Sequence, residues 1–228
     1  MCAIIGAYLE NPSEQDFLQL EKVFVESSIR GLHATGLSWL RDNHINTFIT
    51  KDSIEKFFKS FALKNTINED GNLYLIGHCR YSTSDLKYNQ PLYNENFAIV
   101  HNGVVTQEMP EDWERLYGYK CATRNDSELI LHTLEAKKSP LVEFADASMA
   151  VVELHKNKRI RFYRNGKRPL YFTSIGNGRI ITSTKDIAVR ASLSNPKEAT
   201  MNRYTVVGKD VFYIEDVFVN DAKDLQHV

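Results

Sequence analysis

The chain has 228 residues, of which 43% are hydrophobic and 25% are charged, and its formal net charge at pH 7 is -1. This composition is typical of a folded globular protein and excludes disordered, collagen-like and coiled-coil chains. The near-neutral charge does not favour nucleic acid or an anionic membrane as a partner, and no segment has the apolar length of a membrane-spanning helix.

The chain has three cysteines, which are too few and too widely spaced for a disulfide framework. They are Cys2, Cys79 and Cys121. The apolar stretch at 2–9 has no basic residues before it and is soon followed by Pro12, which does not fit a secretion signal. Reduced thiols and a cytoplasmic location are therefore expected.

Hydrophobic periodicity predicts strands and helices in turn over the first part of the chain. One helix is expected to open at Asn11 and Ser13 and to stop at Gly31. The pair Asn102-Gly103 is a strong turn signal, which predicts that its strand breaks there. The predicted strands lie at 2–9, 36–41, 45–50, 73–81 and 97–105, and two further helices lie at 52–61 and 126–136.

After Pro140 the pattern changes to short strands separated by turn residues. The chain has no internal repeat or linker, so a single domain over 1–228 is expected, with a short polar tail from about Val217. Helices gathered between groups of antiparallel strands indicate an α+β layered fold. The predicted strands lie at 148–154, 159–163, 170–173 and 179–183, followed by a short helix at 186–192 and a hairpin of 205–207 and 210–214.

Five short motifs carry residues suited to chemistry on an amide. A cysteine that becomes N-terminal bears both a thiol and an α-amine, whose ordinary pKa of about 7.7–8.0 lets it act as a base near neutral pH. Taken alone, Cys2 has a second interpretation as a small buried strand residue. The motifs occur in the order Met1-Cys2-Ala3, Arg30-Gly31, 77–83, 100–103 and 125–128.

This ordered set resembles the class II glutamine amidotransferases, which are N-terminal-nucleophile hydrolases. Their glutaminase domain occurs in amidophosphoribosyltransferase and glucosamine-6-phosphate synthase, and the resemblance covers Cys2 to about Ser183. It implies a four-layer αββα sandwich with antiparallel sheets. It also implies that Cys2, after removal of Met1, attacks the side-chain carbonyl of L-glutamine. The products would be ammonia and a γ-glutamyl thioester that water cleaves to glutamate. No metal and no cofactor are implied.

The resemblance also implies a role for the other motifs. Arg80 would bind the α-carboxylate of glutamine with Thr83 as a nearby hydroxyl donor, and Asp126 would pair with the α-ammonium. The Asn102 amide and the Gly103 N–H would form an oxyanion hole. Arg30 would support the site without contacting the substrate.

Each of these motifs also has a purely structural interpretation. Arg80 could be an exposed strand end, and Asn102-Gly103 could be a hairpin turn. Asn125-x-x-Glu128 fits a helix capping box. The neighbours of Arg80 in its motif, His78 and Cys79, are expected to be structural.

The sequence departs from the family's pattern at three places. Ala3 replaces a glycine beside the nucleophile, Asp85 stands where a glycine is common, and the segment 32–36 lacks an acidic pair. No phosphate-binding glycine loop follows the motifs, and no fused synthase is expected. The expected partners are therefore L-glutamine and a separate synthase that accepts the ammonia.

The sequence leaves three other functions open. The chain could hydrolyse a different γ-glutamyl amide, because Arg80 and Asp126 would hold the same glutamyl head. It could be a catalytically silent relative with a binding or regulatory role. A metal site is the weakest option because its spacing fits no zinc pattern. Its members would be Cys2, His78, Cys79, His101 and Cys121.

Overall fold

The computed structural model describes residues 2–81 and 88–217. Met1, Thr83 and Asp85 therefore lie outside the described residues, as does nearly all of the polar tail. No helix within the two described ranges is long and apolar enough to cross a membrane.

Strands and helices are distributed over both described ranges. The strands are β1 (Ala3–Leu9), β2 (Ala34–Arg41), β3 (His44–Thr50), β4 (Leu73–Arg80), β5 (Leu92–Tyr93), β6 (Phe97–Val104), β7 (Ser148–His155), β8 (Arg159–Arg164), β9 (Tyr171–Ile175), β10 (Gly178–Thr182), β11 (Lys197–Glu198), β12 (Arg203–Gly208) and β13 (Val211–Asp216). The helices are α1 (Glu14–Ser28), α2 (Ile54–Phe57), α3 (Trp113–Tyr117), α4 (Glu128–Glu135), α5 (Pro140–Glu143) and α6 (Lys185–Arg190), with 3-10 turns at Leu63–Thr66 and Pro110–Asp112.

The strands form two antiparallel sheets. One has the order β11-β9-β10-β1-β4-β2-β3, and the other has the order β13-β12-β8-β7-β6-β5. Apolar residues from the facing sides of both sheets form a core between them. A second core lies between the first sheet and α1, α2 and α6, and a third lies between the second sheet and α3, α4 and α5. The layers therefore run α, β, β, α, as predicted.

Strand β1 is the centre of the first sheet, and all seven of its residues are buried. Its side chains alternate between the two cores, with Ile4 and Tyr8 facing the other sheet and Ile5 facing the helices. The beginning of the strand is fixed by Ser183, whose Oγ accepts from the Ile4 N–H at 2.6 Å and donates to the Ile4 carbonyl at 3.2 Å. The strand that follows Cys2 therefore has little freedom to shift.

Helix α1 begins as the sequence predicts but ends earlier. The Ser13 side chain accepts from the Asp16 N–H, and the Asp16 carboxylate accepts from the Ser13 N–H at 2.8 Å. The helix ends at Ser28, so the expectation that Gly31 stops it is wrong. A Cβ on Gly31 would collide with the Cys79 carbonyl, so glycine is needed there because the loop lies against β4.

After residue 140, the predicted strands and the predicted helix begin and end within two residues of where the structure places them. The predicted helix at 52–61 is wrong in length, because α2 spans only Ile54–Phe57. The carboxylate of Asp52 does not cap it, since it accepts from Thr50 and Lys56. The sequence missed four short elements, which are β5, β11, α3 and α5.

Candidate active site

An open cleft of about 570 Å³ lies at one end of the sandwich. Its lining includes five residues that the motifs assigned to chemistry, namely Cys2, Arg80, Asn102, Gly103 and Asp126. They come from both sheets and from the turn before α4.

The pairing of β1 with β4 brings two of these residues together. The strands are antiparallel, and Ala3 pairs with Cys79. The start of β1 therefore lies beside the end of β4, and Cys2 lies near Arg80 at the mouth of the cleft. Side chains in a strand alternate with a period of two, so His78 shares the inter-sheet side with Ile76.

The Cys2 side chain is half-buried in the cleft. Its Sγ lies 3.7 Å from the Tyr81 carbonyl oxygen, and its own carbonyl accepts from Arg30 Nε at 3.3 Å. Burial lowers the pKa of the Arg30 guanidinium. Arg30 therefore contacts the backbone of Cys2 and does not itself line the cleft.

Arg80 is half-buried and does not project into solvent as an isolated strand end would. Its Nη1 donates to the Tyr88 carbonyl and to Asn89 Oδ1, the latter at 2.8 Å. Tyr88 also lines the cleft, so these contacts hold the Arg80 guanidinium against the cleft wall.

The prediction of a turn at Asn102-Gly103 is wrong. Strand β6 continues through both residues to Val104, and they pair with Ala150 and Met149 of β7. Gly103 has φ 155°, and a Cβ there would collide with the Ser148 carbonyl. Glycine is required because the two strands approach closely, and not because the chain reverses.

The backbone of Gly103 faces away from β7. Met149 directs its N–H to Asn165 Oδ1 at 3.0 Å, and its carbonyl accepts from the Asn165 N–H at 3.2 Å. Gly103 and Met149 thus form a pair of the non-hydrogen-bonded kind. The Gly103 N–H consequently points to the same edge as the His101 N–H, which donates to Gln90 Oε1 at 2.6 Å.

The Asn102 side chain carries an unused donor. It is only 6% exposed, and its Nδ2 has no hydrogen-bond partner among the described residues. Because buried polar groups in folded proteins are nearly always paired, this amide is positioned for a group that occupies the cleft.

A hydrogen-bonded network supports this end of β6. His101 Nε2 donates to the Ser148 carbonyl at 3.1 Å, so Nδ1 accepts from the Ser127 hydroxyl at 2.8 Å. Gln90 Nε2 in turn donates to Ser127 Oγ at 3.1 Å. Burial lowers the pKa of His101, in keeping with this neutral tautomer. The motifs did not predict this network, although His101 adjoins a predicted site residue.

Asp126 ties α4 to the end of β6. Its Oδ2 accepts from the Val105 N–H at 2.6 Å while the residue lines the cleft. The predicted capping box at 125–128 is wrong, because α4 begins at Glu128 itself. The Glu128 carboxylate instead reaches back to the N–H groups of Ala122 and Thr123, both at 2.7 Å.

His78 belongs to the cleft rather than only to the core. It is 2% exposed, and its Nε2 has no hydrogen-bond partner in the described part of the chain. Cys79 points the other way, into the core beneath the helices. The five-residue metal set considered from the sequence is therefore not assembled, and Cys121 lies instead near Glu128.

The chain is similar to a known family of proteins. Residues 64–218 match a family model described as a glutamine amidotransferase domain. The match covers more than half of the chain, and the chain therefore belongs to this family. The motifs in the sequence predicted this class correctly.

The similar proteins are longer than this chain. Glutamine–fructose-6-phosphate aminotransferase of Helicobacter pylori is 28% identical over 197 residues, 78% of this chain and 31% of that protein. Amidophosphoribosyltransferase of Pyrococcus horikoshii is 29% identical over 226 residues, 90% of this chain and 47% of that protein. This chain thus spans between about a third and a half of these relatives.

A solved structure shares the fold. Glutamine phosphoribosylpyrophosphate amidotransferase from B. subtilis superposes with a TM-score of 0.76 at 16% identity, over 96% of this chain and 50% of that one. The predicted α+β sandwich with antiparallel sheets is thereby confirmed.

The buried imidazole of His78 predicts a pH dependence of stability. Burial lowers its pKa to about 3, and the nearby Arg80 and His101 add to the effect. An unfolded histidine takes up its proton near pH 6.5, so the folded chain binds fewer protons between about pH 6.5 and 3. The free energy of unfolding therefore decreases as the pH falls through that range, because the unfolded chain takes up the proton that buried His78 excludes.

We expect His78→Gln to flatten the fall in the free energy of unfolding between about pH 6 and pH 4, by up to about 1.4 kcal/mol per pH unit. Urea unfolding at a series of pH values measures this slope. His44→Gln, which changes an exposed histidine in β3, is the matched control. An equal flattening in both variants would contradict the assignment to His78.

Proposed function

We propose that this chain hydrolyses L-glutamine to glutamate and ammonia with Cys2 as the nucleophile. One observation carries the proposal: the half-buried Cys2 shares a cleft with a buried, unpartnered amide donor on Asn102. Leaving such a donor unpaired costs about 1–3 kcal/mol, which a substrate carbonyl oxygen would recover. Membership of the glutamine amidotransferase family supports the same reaction.

The proposed reaction needs Cys2 at the N-terminus, after removal of Met1. The free α-amine takes the thiol proton, and the sulfur attacks the side-chain carbonyl carbon of glutamine. The oxyanion that forms accepts from Asn102 Nδ2 and from the Gly103 N–H, which points away from β7. The protonated amine then gives its proton to the leaving nitrogen, ammonia departs, and water cleaves the thioester to glutamate.

The charges of the cleft suit an amino-acid head group. Arg80 offers a cation held by Tyr88 and Asn89, and Asp126 offers a carboxylate held by Val105. A zwitterion placed between them satisfies both charges. We assign the α-carboxylate of glutamine to Arg80 and its α-ammonium to Asp126. The proposed hydroxyl donor Thr83 lies outside the described residues, and Arg30 is proposed to support Cys2 through its backbone contact.

The ammonia is proposed to pass to a separate synthase in a cytoplasmic setting. The relatives named above are an aminotransferase and a phosphoribosyltransferase that this chain only partly covers. We propose that 1–228 forms one glutaminase domain that works beside such an acceptor.

Substituting Asn102 should separate catalysis from stability. We expect Asn102→Ala to lower kcat/KM for glutamine by about 10²- to 10³-fold, because one oxyanion donor is lost. Unfolding free energy should change by about 1 kcal/mol or less, because Nδ2 makes no internal hydrogen bond to lose. Steady-state glutaminase assays and urea unfolding measure the two quantities.

Asn165→Ala is the matched control, because the Asn165 side chain bonds the backbone of both Met149 and Ala147. This variant should lose about 1–3 kcal/mol of stability. An Asn102→Ala protein that is destabilised to the same degree, yet retains full activity, would refute the oxyanion role.

The nucleophile is tested by intact-mass spectrometry before and after 6-diazo-5-oxo-L-norleucine, a glutamine-like electrophile. We expect loss of Met1 and a single adduct, because only an N-terminal Cys2 is positioned to attack. The adduct should disappear in Cys2→Ala and persist in Cys121→Ser.

Other outcomes of the labelling have defined meanings. Retained Met1 without an adduct would indicate a catalytically silent relative. An adduct that other γ-glutamyl amides block better than glutamine does would indicate a different substrate.

The acceptor is tested by affinity purification of the tagged chain from its own cells. We expect a synthase in stoichiometric amount, because free ammonia would otherwise be lost to solvent. Recovery of the chain alone, with glutamine hydrolysis already maximal, would contradict a separate acceptor.

A further inference from the structure

A second cluster of reactive side chains lies beside helix α4. Cys121, Glu128 and His132 each place one ligand atom within 4.8 Å of the other two. Glu128 and His132 are four residues apart on the same face of the helix, and Cys121 comes from the preceding loop.

We propose that these three residues bind a transition-metal ion of the zinc type. A thiolate, a carboxylate and an imidazole nitrogen are the ligands that Zn²⁺ takes in proteins. Three protein ligands leave the fourth position of a tetrahedral ion to water. The proposal does not depend on the glutaminase assignment.

The orientation of His132 supports the site. Its Nδ1 lies 2.8 Å from Glu135 Oε2, and Glu135 Oε1 accepts from Asn94 Nδ2 at 2.7 Å. The ring also stacks on Tyr119, with an interplanar angle of 16°. A carboxylate behind a histidine in this way fixes the ring and directs Nε2 to a metal.

The buried edge of the same ring lacks a partner. His132 Nε2 is buried and has no hydrogen-bond partner among residues 2–81 and 88–217. When Nδ1 donates to Glu135, Nε2 of the neutral ring presents a lone pair. Nε2 lies 3.5 Å from Glu128 Oε1, so in the neutral ring two electron-rich atoms face each other. A cation between them removes the conflict.

The Glu128 ligand is positioned before any ion binds. The Glu128 carboxylate is fixed by the N–H groups of Ala122 and Thr123. Metal binding would form the bond between the ion and the Cys121 sulfur and release the thiol proton to solvent.

The proposed metal site would act on the cleft through the segment 121–128, whose two ends it joins. Cys121 and Glu128 bracket the segment that supplies Arg124, Asn125 and Asp126 to the cleft wall. A bound ion would tie both ends of this segment together.

The test is titration of the reduced, metal-free protein with Co²⁺. We expect a cobalt–thiolate charge-transfer band that saturates at one equivalent and disappears when Zn²⁺ displaces Co²⁺. Cys121→Ser should abolish the band, and Glu135→Gln should weaken Co²⁺ binding by about 10- to 100-fold because His132 loses its fixed orientation. Cys2→Ser and His44→Gln are the controls and should keep the wild-type band and affinity.

The opposite results overturn the proposal. Absence of the band in the wild-type protein refutes it, as does a band that Cys121→Ser keeps or that Cys2→Ser loses. If Cys121→Ser fails to fold by circular dichroism, Glu135→Gln decides, and unchanged Co²⁺ affinity in that variant refutes the site.

Discussion

The register between β1 and β4 is the constraint on which the cleft depends. Ala3 is paired with Cys79, and this places Cys2 beside the end of β4. A slip of one residue would turn every side chain of β1 to the opposite face, and Ile4 and Ile5 would exchange their cores. Burial on both faces of β1 makes such a slip costly, so the packing of the whole sandwich determines where the thiol lies.

The second sheet completes the cleft through a set of hydrogen bonds. Neutral His101 lies between Ser127 and the Ser148 carbonyl, and this network supports the strand end that carries Asn102. Asp126 holds the following loop through Val105. In a poorly solvated interior these polar contacts are stronger than they would be in water, and the donor of Asn102 remains available for a ligand.

The apolar period of the strands allowed prediction of an α+β layered fold, and the order of the four layers came from the resemblance to a known family. The resemblance that the ordered motifs carry also allowed prediction of five residues that line the cleft, which are Cys2, Arg80, Asn102, Gly103 and Asp126. Prediction from the sequence failed at Gly31 and Gly103, since glycine serves a turn and a close backbone approach equally well, and only the neighbouring strand distinguishes them. It failed at Glu128 because a capping pattern depends on where the helix begins.

Prediction from the sequence has a different limit at the cluster of Cys121, Glu128 and His132 beside α4. The spacing of Glu128 and His132 is visible in the sequence, but the approach of Cys121 depends on how the loop closes over the helix. His78 is similar, because its unpartnered nitrogen follows from the packing of two sheets rather than from its own motif.

The contact between Ile4 and Ser183 has a consequence for biosynthesis. It joins residues that are 179 positions apart, and β1 pairs with β10 on the same side. A ribosome delivers the chain from its N-terminus, so β1 lacks this neighbour until residues 178–182 have been made. Loop closure over such a distance makes this pairing a late event in folding. The edge of β1 that pairs with β10 thus stays open until late in folding, and the first sheet is completed only afterwards.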